Sequence, residues 1–122
     1  PTSWAPPHGR DHRALGERLA RFVVTLWEVP EARERLLAVV RSVASNEEMA
    51  ALVRGFARPR LVVPLASRIG GPNAEARVEM ALAQIIGLAM ARYVIRVEPV
   101  ASLGGEELVA LLGPALQRLL GG

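Results

Sequence analysis

Between Ala76 and Val94 the chain carries an apolar run with almost no polar side from Met80 to Ala91. This run limits the available folds more than any other stretch. Wound as a helix, it places Val78, Leu82, Ile85, Ile86, Ala89 and Tyr93 on one face and Ala76, Met80, Ala83, Gly87, Met90 and Val94 on the opposite one. The first face is large and branched, suited to a core. The second is mostly small, which lets another backbone approach closely. A helix apolar on both sides needs cover on both sides. One cover is the rest of a small domain, and the natural second cover is another copy of the same helix; the alternative is that one chain wraps it completely. A membrane span is the weaker reading, because the uninterrupted run is shorter than the ~20 residues a bilayer needs and Glu79, Gln84 and Arg92 sit in or beside it.

The remaining elements are read from helical periodicity and breakers. Pro1 to Gly9 is rich in proline and polar residues and reads as an arm, so the organisation is an arm or linker remnant over 1–12 and one domain over 13–122. A helix from about Arg13 to Glu28 is marked by Leu15, Leu19, Phe22, Val23 and Leu26, with Trp27 closing it beside Pro30. Pro30 restarts the chain as a second helix to about Ala44. Ser45 and Glu48 have the spacing of a capping box opening a third segment. Pro59 and Pro64 should kink or break that segment, giving pieces over 46–57 and 61–69 with Arg58 as the joint. Gly70, Gly71 and Pro72 precede the long central helix, expected over about Pro72 to Arg96. A last helix spans about Glu106 to Leu120, bent at Gly113-Pro114. No strand pattern and no internal repeat appears, so the class is all-α, with about five or six helices.

Composition excludes more than it suggests. There is no cysteine, which removes disulfides, thiolate zinc sites and cysteine nucleophiles. All 15 basic residues are arginine, yet the formal net charge is only +3, too small to argue for nucleic acid by itself. Arg54, Arg58, Arg60 and Arg68 form the most basic stretch, but no aromatic residues interleave to stack on bases, so they read as a solvated face. Both histidines and the one aspartate precede Arg13. His8, Asp11 and His12 could bring three metal ligands together, but no further histidine completes a site, and Asp11 serves equally as a helix cap. The body of the domain therefore lacks the parts of a triad or a histidine metal site. No enzyme activity, metal or cofactor is expected.

The run from Gln84 through Ile86-Gly87-Leu88 and Arg92-Tyr93-Val94-Ile95 to Glu98-Pro99, followed by Glu106-Glu107-Leu108-Val109-Ala110-Leu111-Leu112 and Pro114, resembles the C-terminal domain of TetR-type transcriptional regulators of actinobacterial kind. Gly16 to Phe22 and Leu26-Trp27-Glu28 resemble the start of that domain. The resemblance implies a cytoplasmic, helical regulatory domain whose last two long helices form a dimeric four-helix bundle, with an effector pocket among the preceding helices. It also implies operator binding through an N-terminal helix-turn-helix, which nothing before Arg13 could supply. Pro1 thus reads as the start of a fragment or processed chain, and this chain alone should not bind DNA specifically.

Two sets of residues follow. Trp27, Phe56, Met80 and Ile85 are the expected lining for a small apolar or aromatic effector. The expected homodimer seam is Ala76, Met80, Ala83, Gly87, Met90 and Val94, with Gln84 near its edge and Leu112 and Leu116 on its flanks. The competing function is a helical module that binds another protein without a small-molecule ligand. Gly104-Gly105, where a capping serine or threonine is common, should let the last helix fray at its start.

Overall fold

The computed structural model describes residues 14–121, and all regular structure among them is helical. The arm and the cluster of His8, Asp11 and His12 lie outside the described residues. Helix α1 (Leu15–Trp27) buries Leu15, Leu19, Ala20, Val23, Val24 and Trp27 on one stripe. Val29 is extended, the geometry a following proline favours, and Pro30 opens α2 (Pro30–Ser45), of which only Leu37 is buried. Helix α3 (Glu47–Ala57) buries nothing at all.

The cap between these two helices differs from the expected box. Asn46, not Ser45, is the capping residue: its Oδ1 accepts the amide N–H groups of Glu48 and Met49 at 2.9 and 3.3 Å. The Ser45 hydroxyl instead donates back to the Arg41 carbonyl at 3.2 Å, which lengthens α2 by one residue. The joint at Arg58 is also not a break. Arg58–Val62 is a π turn that leads directly into α4 (Val63–Ile69), and the Val63 amide donates to the Arg58 carbonyl five residues back. Widening the helix there accommodates Pro59, which has no amide to donate.

Gly70 and Gly71, with φ of 65° and 84°, turn the chain. Helix α5 (Ala74–Ala89) then runs into a second π turn, Met90–Ile95, and ends where Arg96 adopts the left-handed conformation. It is thus shorter at both ends than the sequence suggested. A 3-10 turn, Val100–Ser102, leads to α6 (Gly105–Leu120), which continues through Pro114. Its start is held, not frayed: the Glu107 carboxylate accepts the Gly104 amide N–H at 2.9 Å. This is the half of a capping box that needs no side chain at the cap position.

Helices α1 and α6 form the most extensive contact, α5 packs on α6, and α4 packs on α5. Leu15, Val78, Leu116 and Leu120 are the largest fully buried side chains. At roughly 1.5–3 kcal/mol for each large side chain removed from water, these four contribute about 6–12 kcal/mol of gross burial free energy. Glycine fixes how closely the pair α1–α6 packs. A Cβ on Gly113 would lie 3.3 Å from Glu17 Cα, and one on Gly16 would collide with the backbone of Gly113 and Gln117.

Candidate functional site

Helix α5 is organised by its two faces. Val78, Ala81, Ile85 and Ala89 are buried and Leu82 and Tyr93 partly so, whereas Ile86, expected on the same face, is exposed. Its place in the core is taken by Ala81, whose small side chain gave no signal in the sequence. Around the opposite side, Ala76, Met80, Ala83, Gln84 and Gly87 are exposed and Met90 and Val94 half-buried. Glu79 is the one ionisable residue among those exposed between Ala76 and Gly87. A Cβ built on Gly87 meets nothing within 4 Å, so this chain leaves the seam uncovered from Ala76 to Gly87.

Helix α6 continues that surface, but through different residues from those expected. Leu112 and Leu116 are buried in the chain's own core, Leu116 completely. The sequence places both on the interface flanks, and their burial leaves them little side chain to offer a partner. The close approach of Gly113 to α1 fixes the rotation of α6, sending Val109, Leu112, Leu116 and Leu120 inward and leaving Leu111 68% exposed. Between α5 and α6 runs an open, apolar groove of about 330 Å³, in which Gln84 and Leu88 face Leu111 and Ala115, with Leu108 at its base. Gln84 therefore stands where α5 and α6 meet.

The four residues expected to line an effector pocket do not converge. Trp27 is 2% exposed, its ring edge-on to Tyr93 with centroids 5.8 Å apart, and its carbonyl accepts from Arg33 at 2.9 Å. Ile85 is buried in the same core. Phe56 is 56% exposed on the outer side of α3, with the Arg60 guanidinium 5.2 Å from its ring centroid, and Met80 is 58% exposed on the uncovered seam. None of the four lines any of the described cavities. Periodicity identified both outward residues as apolar but could not tell a face turned to a cavity from one turned to solvent.

Two further surfaces were not singled out in the sequence. The largest described cavity, about 540 Å³, lies along α1 and α6, with Arg21 bridging Glu17 at 3.3 Å and Glu106 at 2.6 Å beside it. Those hydrogen bonds from Arg21 hold the Glu106 carboxyl below its ordinary value. A cavity of about 430 Å³ between α2 and the end of α5 is lined by Arg33, Arg41, Arg92 and Arg96 together with Tyr93. Half of the basic stretch that the sequence did single out is paired: Arg54 with Glu47 at 2.7 Å and Arg58 with Glu75 at 2.9 Å. Among the described residues no group of three potential metal-binding side chains occurs. The helical span Ala74–Ile95 is long and apolar enough to cross a membrane by length and composition, although Val78, Ala81, Ile85 and Ala89 fix one side of it in the domain.

Comparison with known proteins gives one match. The family model described as the tetracyclin repressor-like C-terminal domain aligns with residues 14–120, from the residue before α1 to the last residue of α6. No curated protein and no solved structure matches the chain.

Proposed function

The chain belongs to the family of tetracyclin repressor-like C-terminal domains, and we propose that it is the dimerising, effector-sensing part of a cytoplasmic TetR-like transcriptional regulator, a repressor in its full-length form. The observation that carries the dimer is the uncovered apolar surface of α5 and α6: Met80, Ala83, Gly87 and Leu111 exposed together beside an apolar groove. A second copy related by a two-fold axis would bury the same residues on both sides, giving a four-helix arrangement of two α5 and two α6 helices. In this reading Met80, Ala83 and Gly87 form the seam, Gln84 and Leu88 line its α6 side, and α6 contributes Leu111 and Ala115 with the edge of Leu112 between them, while Leu116 stays in the core.

Effector sensing rests on family membership together with the thin packing of α3. That helix buries no residue and leaves Leu52 and Phe56 exposed, so it is the element that moves most cheaply to admit an apolar or aromatic ligand towards Trp27 and Ile85. Occupancy would then shift the relative placement of the two DNA-binding parts carried by a dimer.

The dimer is tested by light scattering on the chain and on a Leu111→Glu variant. The variant should be monomeric at concentrations where the parent is a dimer, with unchanged helical content. A monomeric parent removes the reading in favour of a module that uses this surface for a different protein. The effector half is tested with N-phenyl-1-naphthylamine as a neutral aromatic probe, whose fluorescence enhancement should fall in Phe56→Ala and not in Leu111→Glu.

A further inference from the structure

The cavity between α2 and the π turn ending α5 gathers four arginines at one place. Arg33, Arg41, Arg92 and Arg96 line it, and Glu34 is the one carboxylate among the lining residues. Three positive charges are left uncompensated, as many as the net charge of the whole chain. Arginine cannot shed its proton to relieve the repulsion, as a lysine cluster can, so the cluster needs an anion or must be screened by salt. Elsewhere Arg21, Arg54 and Arg58 each find a carboxylate within 3 Å. Here the nearest pairing is Arg33 with Glu34 at 4.0 Å.

The inner pair is fixed and the outer pair is unengaged. The Arg33 guanidinium lies 5.3 Å, and that of Arg92 5.4 Å, from the Tyr93 ring centroid. Arg33 donates to the Trp27 carbonyl at 2.9 Å; Arg92 donates to the Tyr93 hydroxyl at 3.1 Å and to the Val100 carbonyl at 2.8 Å. These contacts hold two cations in place while leaving part of each guanidinium fork unused. The guanidinium groups of Arg41 and Arg96 have no hydrogen-bond or ion-pair partner among the described residues. Arg96 also adopts the left-handed conformation, with φ 62°, at a helix end where glycine is the low-cost choice.

From this geometry we infer that the cavity lined by Arg33, Arg41, Arg92, Arg96 and Tyr93 is an anion-binding site for a small phosphorylated ligand, separate from the apolar effector site and independent of whether that site exists. A compact group carrying two or more negative charges matches the uncompensated cations, and phosphoryl oxygens suit convergent guanidinium forks. The Tyr93 ring and its edge contact with Trp27 would register occupancy.

The test uses Trp27 fluorescence in a Trp4→Phe background, since the chain has two tryptophans. Inorganic pyrophosphate, inorganic phosphate and phenyl phosphate are titrated at constant ionic strength against potassium chloride and sodium benzoate. A phosphoryl probe should give a saturable change. Arg41→Gln/Arg96→Gln should weaken it by about tenfold or more, as loss of charge-assisted hydrogen bonds implies, and Arg118→Gln should not. Saturation by phenyl phosphate well below the concentration needed for phosphate or pyrophosphate identifies an ester ligand; the reverse order identifies a free phosphate. Single Arg41→Gln and Arg96→Gln variants carry the same reading if the double variant unfolds. The inference is overturned if the response follows ionic strength alone, or if the substituted chains respond like the parent. It is equally overturned if duplex DNA, and no small phosphate, binds in a manner that these arginines control.

Discussion

The Gln117 side chain of α6 accepts the backbone N–H of Gly16 at 2.7 Å, and the same two residues meet so closely that a Cβ on Gly16 would lie 2.7 Å from Gln117 Cα. An amide at the start of α1, one of those that no helix can satisfy internally, is thereby capped from across the domain. The contact works only because position 16 has no side chain.

Gly16→Ala should therefore be among the most damaging single-atom additions available to this chain. The obstructing atoms are backbone of Gly113 and Gln117, which cannot rotate away as a flexible side chain would. Overpacking of this kind costs about 3 kcal/mol, and the expected readout is a midpoint for thermal unfolding lower by about 10 °C or more. Gly55→Ala is the control: nothing lies within 4 Å of a Cβ there, so the exchange should stabilise α3 by about 0.5–1 kcal/mol. Equal melting of the two variants would mean that α1 and α6 do not cross at Gly16.

The glycine contact also explains which parts of the fold the sequence disclosed. Helix existence was readable because Leu15, Leu19 and Val23, or Val78, Ile85 and Ala89, repeat at helical spacing and are buried as a stripe. Rotation about the helix axis was not readable in α6, where leucines at 111, 112, 116, 119 and 120 leave no polar side to mark the outside. Gly16 and Gly113 decide it, and a glycine's part in a close approach depends on a partner distant in sequence. The same holds for the arginine-lined cavity. Arg33 and Arg96 are separated by most of the domain along the chain, so no local pattern brings them together.

Capping offers a local test of the corrected α2–α3 boundary. With Asn46 accepting two amide N–H groups and Ser45 bonded back into α2, Asn46→Ala should cost about 1 kcal/mol. Ser45→Ala, in contrast, should change stability by no more than about 0.5 kcal/mol, as a surface substitution. Urea unfolding midpoints distinguish the cases, because the capping box read from the sequence predicts the opposite order.

The Arg21–Glu106 pair makes a prediction about acid. Hydrogen bonds from Arg21 lower the Glu106 pKa from its ordinary value of 4.5 and raise that of Arg21. A carboxyl depressed in the folded state contributes stability that is fully present above its unfolded pKa and is lost as the pH falls through the folded one. The contribution therefore disappears only in the acid range below about 4.5, and both groups are exposed enough for salt to weaken it. Carboxyl NMR titration should place Glu106 below the ordinary carboxyl value, and Arg21→Gln should return it towards that value. An unmoved Glu106 titration in that variant would show that the ion pair does not persist in solution.

Gly87 separates folding from association more sharply than any other position. Glycine in a helix interior costs about 1 kcal/mol relative to alanine, and within this chain no contact of Gly87 offsets that cost, because nothing lies within 4 Å of the added carbon. Gly87→Leu should therefore raise the stability of the monomer, measured in the Leu111→Glu background where association is already blocked. In the parent background the same leucine would stand on the seam between Ala83 and Met90 and hold the partner backbone away. Light scattering should then show a weaker dimer, by about tenfold or more in dissociation constant for an overpacking cost above about 1.4 kcal/mol. Opposite signs for folding and association in one substitution are the signature of a glycine kept for a partner helix. A variant that dimerises as tightly as the parent would place the dimer elsewhere and leave the apolar face of α5 for a different protein to cover.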